Sequence, residues 1–134
     1  MKKEGKGLSH SYYEGIDQAL ANLRLGVDYS WLWHFFDKEI SKEQIFEYCE
    51  ACYNLITWLK LPIGYSAYYI EITSQSISIR PITQTYQGYQ IIHENKEWWK
   101  YYLKIPDRNP LRETYCKDAV KQARKFLKII LEMP

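Results

Sequence analysis

The stretch KEQIFEYCEACYNLITWLKLPIGYSAYYIEIT, residues 42–73, changes its hydrophobic period near Pro62, and this change decides the fold class. Before the change, apolar residues recur every three or four positions: Ile45, Cys49, Cys52, Tyr53 and Ile56. After it, aromatic and β-branched residues dominate, which is typical of a strand. A helix over about 42–60, capped by Ser41, and a strand over 65–73 therefore predict a protein that combines helices with a sheet.

Three further segments carry strand-like composition. SISIRPIT (76–83) is expected to pair with 65–73 as a hairpin, because only a short Ser/Gln turn separates them. GYQIIH (88–93) and WWKYYLKI (98–105) are expected to form a second hairpin. Pro81 has no N–H for a ladder, which predicts a sheet edge or a bulge at that position.

Helices are expected on both sides of these strands. A helix is predicted over about 12–25 with Gly26 as its stop, and another after Thr114. WLWHFF, within Tyr29–Asp37, is apolar nearly all round and is expected to be deeply packed rather than a surface helix. The predicted fold is α+β: N-terminal helices, a four-stranded antiparallel sheet of two hairpins and a C-terminal helix, in one domain over 11–134 behind a flexible arm, 1–10.

Composition and charge set limits on the function. Aromatic residues make up 16 % of the 134 residues, with 13 Tyr and 5 Trp, an excess that suits a dense core or a contact surface. Residues 1–75 hold 7 Lys and Arg against 10 Asp and Glu, a net −3, and residues 76–134 hold 11 against 6, a net +5. The basic half is therefore the candidate for contacts with acidic partners.

Three cysteines, Cys49, Cys52 and Cys116, indicate free thiols in a reducing compartment. No apolar leader and no apolar run of membrane-spanning length is present, so a cytoplasmic protein without a membrane partner is expected. Cys49 and Cys52 lie in mid-helix on its apolar face, which favours core packing over a redox or metal role.

No catalytic signature is found in the sequence. His10, His34 and His93 lie in none of the familiar catalytic or zinc motifs, and no glycine-rich phosphate loop occurs. His34 is expected to be a hydrogen-bonded core residue, whereas His93 is expected to be a turn residue or, alternatively, a general base. The sequence thus predicts no enzyme, no cofactor and no metal.

The most distinctive pattern lies in WWKYYLKI (98–105). Strand alternation would bury Trp99, Tyr101, Leu103 and Ile105. It would turn an aromatic–basic row outward, made of Trp98, Lys100, Tyr102 and Lys104. Arg80 is expected to face outward as well. Such a row can stack nucleic-acid bases, bind a protein, or be covered by helix 42–60 or the WLWHFF segment, with its lysines reaching the edge.

A second basic pattern follows in the last predicted helix. Four cations fall on one stripe opposite its apolar face: Lys117, Lys121, Arg124 and Lys128. This stripe is either a solvated face near a helix C-terminus or a contact for nucleic acid or an acidic partner.

The leading functional hypothesis is a small non-enzymatic binding protein, an inhibitor or adaptor of a partner protein or complex of the kind found in mobile elements. It would act through the Tyr/Trp and Lys/Arg surface. The alternatives are a nucleic-acid-binding module that uses the basic C-terminal half, and an enzyme with an unrecognised site. The sequence leaves a homo-oligomer open.

Overall fold

A computed structural model describes residues 15–113 and, beyond them, residues 125, 128, 129 and 131. Its helices and strands, in chain order, are α1 (Ile16–Leu23), β1 (Trp31–Phe36), α2 (Lys42–Trp58), β2 (Gly64–Ile72), β3 (Ile77–Thr85) and β4 (Gly88–Ile91). Short 3₁₀ turns lie at Trp98–Lys100 and Pro110–Glu113. The protein is therefore of the α+β class, as predicted.

The four described strands form one mixed sheet in the order β1-β2-β3-β4. β1 runs parallel to β2, whereas β2 with β3 and β3 with β4 are antiparallel. The prediction of a fully antiparallel sheet is wrong because β1, α2 and β2 form a strand–helix–strand crossover, which makes parallel neighbours.

β1 is one of the two segments whose structure differs from the prediction. WLWHFF is not deeply packed all round: it is an edge strand whose alternate residues lie on opposite faces of the sheet. Leu32 and Phe36 are buried, while Trp33 and Phe35 are more than two-fifths exposed. α2 packs on one face of this strand, against His34 and Phe36, and the apolar residues of the other face, Trp33 and Phe35, therefore stay partly exposed.

The helix predicted over about 42–60 is confirmed as α2. Ser41 caps it, since its hydroxyl accepts a 3.2 Å hydrogen bond from the Gln44 N–H. The apolar stripe of α2 is fully buried against the sheet at Ile45, Cys49, Cys52 and Ile56. α1 covers the described part of the helix predicted over 12–25, and Gly26 follows it with a left-handed φ of 88°.

The first hairpin is present as β2 and β3, but β3 is not an edge strand. Pro81, opposite Tyr68, is the last residue of β3 in register with β2, and pairing with β4 begins at Ile82. β3 thus changes partner at its proline. The missing N–H falls where one ladder ends, while the Pro81 carbonyl accepts a 3.0 Å hydrogen bond from the Ile92 N–H.

The second predicted hairpin is wrong. β4 pairs with β3, and residues 98–105 contain a 3₁₀ turn followed by extended chain rather than a strand. The extended part joins the sheet at one antiparallel bridge, between Lys104 and Tyr65. It bonds to the same edge of β2 as β3 does, at the first residues of β2, which β3 leaves unpaired because it changes partner at Pro81.

The flexible arm predicted at 1–10 and most of the predicted C-terminal helix lie outside the described residues. Among the residues that the structure does describe, no helix has the length and apolarity needed to cross a membrane.

Candidate binding surface

The face of the sheet turned away from α2 is aromatic. Trp33 and Phe35 of β1 project from it, opposite Ser66 and Tyr68 in the parallel register with β2. The other residues of β1 point the opposite way: the His34 and Phe36 rings contact Tyr48 of α2, with centroids 5.1 and 5.2 Å apart. Strand alternation therefore separates a helix-covered face from an aromatic one.

The extended chain after the 3₁₀ turn is fixed across the first residues of β2. The Leu103 N–H donates to the Tyr65 carbonyl at 2.8 Å, and the Tyr65 N–H donates to the Lys104 carbonyl at 2.9 Å. The Tyr101 carbonyl accepts from the hydroxyls of Ser66 and Tyr68, at 3.2 and 3.1 Å. Backbone bonds thus hold this segment at the edge of β2 opposite β1, and the two hydroxyl bonds hold Tyr101 over the face turned away from α2.

Gly64 allows the segment to approach closely. A Cβ at this position would lie 2.7 Å from the Pro106 Cδ and 3.0 Å from the Trp31 Cδ2. Both distances are shorter than carbon–carbon contact permits, so the packing of the segment over β2 requires a residue without a side chain.

Seven rings make up the aromatic face: Trp31, Trp33, Phe35, Tyr68, Trp98, Trp99 and Tyr102. Trp98 lies at its centre, with ring centroids 5.3 Å from Trp33 and 5.0 Å from Tyr68, both edge-on. Tyr102 meets Trp31 edge-on at 6.3 Å. The edge-to-face arrangement is the favourable one for aromatic rings, so the rings fix one another in place.

The outer rings of the aromatic face are open to solvent. Trp33 is 41 % exposed, Trp99 50 % and Tyr102 48 %, while Tyr68 beneath them is fully buried. The Trp31 indole N–H donates to the Ser66 hydroxyl at 2.8 Å, which orients its ring. The result is a broad apolar surface on a rigid base.

The predicted aromatic–basic row is only partly what the structure contains. Lys100 and Tyr102 are exposed, but Trp98 and Lys104 are half-buried. Trp99 and Ile105, which alternation assigned to the core, are 50 % and 57 % exposed. The assignment of faces fails because the 3₁₀ turn at Trp98–Lys100 breaks the two-residue period that the prediction assumed.

The two lysines of the predicted aromatic–basic row are engaged with neighbouring groups. The Lys104 ammonium donates to the Ile63 carbonyl at 2.9 Å and to the Ile105 carbonyl at 3.1 Å. Lys100 forms an ion pair with Glu97 three residues earlier. Both ammonium groups therefore already interact with groups of the same chain.

Arg80 is likewise engaged rather than freely outward as predicted. Its Nε–H donates to the Ile92 carbonyl at 2.8 Å, and its Nη1 lies 3.5 Å from the Glu71 carboxylate. Of the predicted basic stripe, Lys117, Lys121 and Arg124 lie outside the described residues, and Lys128 is exposed.

Beneath the opposite face lies a buried polar cluster. The Tyr65 hydroxyl is 2.8 Å from the His34 Nδ1 and also interacts with the thiols of Cys49 and Cys52. Burial raises the pKa of each thiol to about 12. The neighbouring Cys52 adds to the rise at Cys49, and the hydrogen bond with Tyr65 lowers the pKa of both thiols. At neutral pH both thiols are protonated and enclosed, as expected of core residues.

No group of three or more His, Cys, Asp or Glu side chains in the described part of the chain is arranged to hold a metal ion. Cys49 and Cys52 are free thiols, and both are buried.

Sequence reasoning missed the contribution of β1 to the surface: Trp31, Trp33 and Phe35. Their two-residue spacing and the aromatic composition of WLWHFF were a signal for a strand. The signal was weak because the intervening positions, Leu32, His34 and Phe36, offer little polar contrast.

No protein-family model matches this chain, and neither a curated protein nor a solved structure is similar to it.

Proposed function

We propose that this protein is a small non-enzymatic binding protein, an inhibitor or adaptor, whose aromatic face docks onto a partner protein. The observation that carries the proposal is the gathering of exposed Trp, Tyr and Phe side chains on one side of the sheet. Monomeric proteins rarely leave a contiguous apolar patch of this kind open unless something binds it. Trp, Tyr and Phe are also the residues in which protein interfaces are enriched.

The rigidity of the aromatic face supports the proposal. Trp98 is enclosed by edge-on contacts with Trp33, Phe35 and Tyr68 at centroid distances of 5.0 to 6.2 Å. The Tyr68 and Tyr101 backbone and side-chain bonds fix the layer below. A surface held in one arrangement before binding loses little side-chain entropy when a partner covers it, which favours affinity.

The state of the nearby cations favours a protein partner over nucleic acid. Binding of single strands combines aromatic stacking with cations that follow the phosphates. Here Lys104 bonds to backbone carbonyls, Lys100 to Glu97, and Arg80 to Glu71 and a carbonyl. Using these three cations on phosphates would require breaking their present bonds, which disfavours a nucleic-acid partner on the aromatic face.

A pair of tryptophans allows a matched test. Trp99 lies on the aromatic face and is 50 % exposed. Trp58, at the end of α2, is 78 % exposed and contacts none of the rings of the aromatic face. The photo-crosslinker p-benzoylphenylalanine is placed at position 99 in one protein and at position 58 in the other. Each is irradiated in host lysate, and the adducts are separated and identified.

We expect one protein adduct that forms from position 99 and not from position 58, and that survives nuclease treatment. Its yield should change little when salt is raised, because apolar contacts are not screened. Adducts that disappear with nuclease, or that form equally from both positions, would contradict docking of a protein on the aromatic face.

A further inference from the structure

We infer that two copies of this chain pair antiparallel along β1, joining their sheets into one of eight strands. The inference goes beyond the proposed function, because it concerns the edge of the sheet rather than the docking of another protein on its face. It begins from the position of β1, which has a neighbouring strand, β2, on one side alone among the described strands.

The hydrogen-bond pattern identifies the groups on the open side. The Gly64 N–H donates to the Ser30 carbonyl at 2.9 Å, and Trp31 lies opposite Gly64. In a parallel ladder alternate residues turn both backbone groups to the same partner, so the backbone groups of Leu32 and His34 point to β2. Those of Trp31, Trp33 and Phe35 point away from β2, and within the described chain no backbone group bonds to them.

The outward groups are complementary to themselves. In an antiparallel pair, two outward residues that face each other exchange both of their hydrogen bonds. If Trp33 faces Trp33 of a second copy, Trp31 faces Phe35 at each end. All three outward N–H groups and all three outward carbonyls of each copy then find partners, which a two-fold symmetric contact requires.

The composition of β1 allows this pairing. Residues 31–36 contain no Asp, Glu, Lys or Arg, the side chains that proteins commonly place on an edge strand to prevent pairing. Shifting the register by two residues leaves outward groups unpaired.

The side chains fit the same arrangement. Trp33 would lie beside Trp33 of the second copy, and Phe35 beside Trp31, on the aromatic side of the joined sheet, where neighbouring aromatic side chains on adjacent strands stabilise pairing. α2 lies on the opposite face, against His34 and Phe36. The pairing would therefore make the two aromatic faces continuous.

Sedimentation velocity of the full chain, from about 1 to about 200 µM, tests the inference by measuring a dimerisation constant. Trp33→Glu places two carboxylates against each other at the symmetry axis and should weaken the dimer by roughly 30-fold or more. Trp58→Glu makes the same chemical change at an exposed site away from β1 and should leave the constant unchanged. A protein that stays monomeric, or a dimer that is indifferent to Trp33→Glu, overturns the inference.

Paired substitutions test the register. Trp31→Lys and Phe35→Glu alone should each weaken the dimer, and the double variant should recover it because each lysine then faces a glutamate of the other copy. Parallel pairing would set each position against itself, so failure to recover overturns the antiparallel register. If a variant does not fold, hydrogen exchange on the unaltered chain tests the same inference. The amides of Trp31, Trp33 and Phe35 should become protected as the protein concentration rises. Unchanged exchange would overturn the inference as well.

Discussion

Alkaline pH should destabilise the fold through the two buried thiols of α2. Burial raises the pKa of Cys49 and Cys52 from 9.0 to about 12, so each thiol retains its proton in the folded chain at a pH where it loses it in the unfolded chain. The folded state then binds more protons, and the free energy of unfolding falls as pH rises above 9. The stability contributed by the protonated thiols is fully present below pH 9 and is lost through the folded pKa.

The magnitude follows from the distance between the two pKa values. Each pH unit between 9.0 and about 12 costs about 1.4 kcal/mol per thiol, so going from pH 8 to pH 10 should cost the pair about 3 kcal/mol. The measurement stops at pH 10 because of Tyr65, whose pKa burial raises above its ordinary value of 10.0. Above pH 10, Tyr65 would contribute its own loss of folding stability.

Urea denaturation at pH 8, 9 and 10 measures this slope, with the Cys49→Ala/Cys52→Ala variant as control. The variant has a lower free energy of unfolding at pH 8, so the quantity compared is the change in that free energy between pH 8 and pH 10. We expect the native chain to lose about 3 kcal/mol more than the variant over the interval. Equal slopes would refute the enclosure of the thiols and reopen a reactive role for the Cys49-x-x-Cys52 pair.

Three further substitutions test the packing. Ile56→Ala removes a fully buried side chain of α2 and should cost about 2–5 kcal/mol in urea denaturation, and a cost under about 0.5 kcal/mol would contradict its place in the core. Gly64→Ala drives a Cβ to 2.7 Å from Pro106 and should lower stability by about 1–3 kcal/mol, seen as a lower thermal midpoint; an unchanged midpoint would show that the segment is not packed there. Lys104→Ala should cost about 1.5–3 kcal/mol because its ammonium bonds to two carbonyls, whereas Lys100→Ala, in an exposed ion pair, should cost under about 1 kcal/mol; equal costs would contradict the different environments of the two lysines.

The elements that the sequence predicted well are those that local pattern determines. α2 has a clear apolar stripe and a serine cap, and the structure begins it one residue after Ser41. β2 and β3 are close in sequence, so their hairpin needs no long-range information. In both cases the hydrophobic period alone is sufficient.

The misassigned elements depend on distant partners. WLWHFF lacks polar contrast, and its strand character comes from a parallel partner more than thirty positions away, across α2. The chain over 98–105 alternates well, but the neighbour it was expected to have, β4, is taken by β3. That outcome follows from the change of partner at Pro81, which also leaves Tyr65, near the start of β2, free to pair with Lys104.

The exposure of aromatic side chains within 98–105 was predicted only in part: Tyr102 is exposed as expected, whereas Trp98 is half-buried and Trp99 is exposed. That they form a contact surface, as the excess of Tyr and Trp indicates, stays a prediction. The lysines were expected to be available to a binding partner. In the structure, Lys100 pairs with Glu97 and Lys104 bonds to the Ile63 carbonyl. Ion pairs and bonds to carbonyls depend on the folded path of the chain, which a sequence period does not contain.

The central claim, that the aromatic face binds a partner protein, is tested most directly by isothermal titration with the partner identified by crosslinking. Three proteins are compared at low and high salt: the native chain, Trp99→Ala and Trp58→Ala. We predict that Trp99→Ala weakens binding by about 30-fold or more at both salt concentrations, as truncation of an interface hot-spot aromatic does, and that Trp58→Ala binds as the native chain does. Equal affinities of all three proteins would contradict the claim. So would an affinity that falls steeply as salt is raised and that Trp99→Ala does not change.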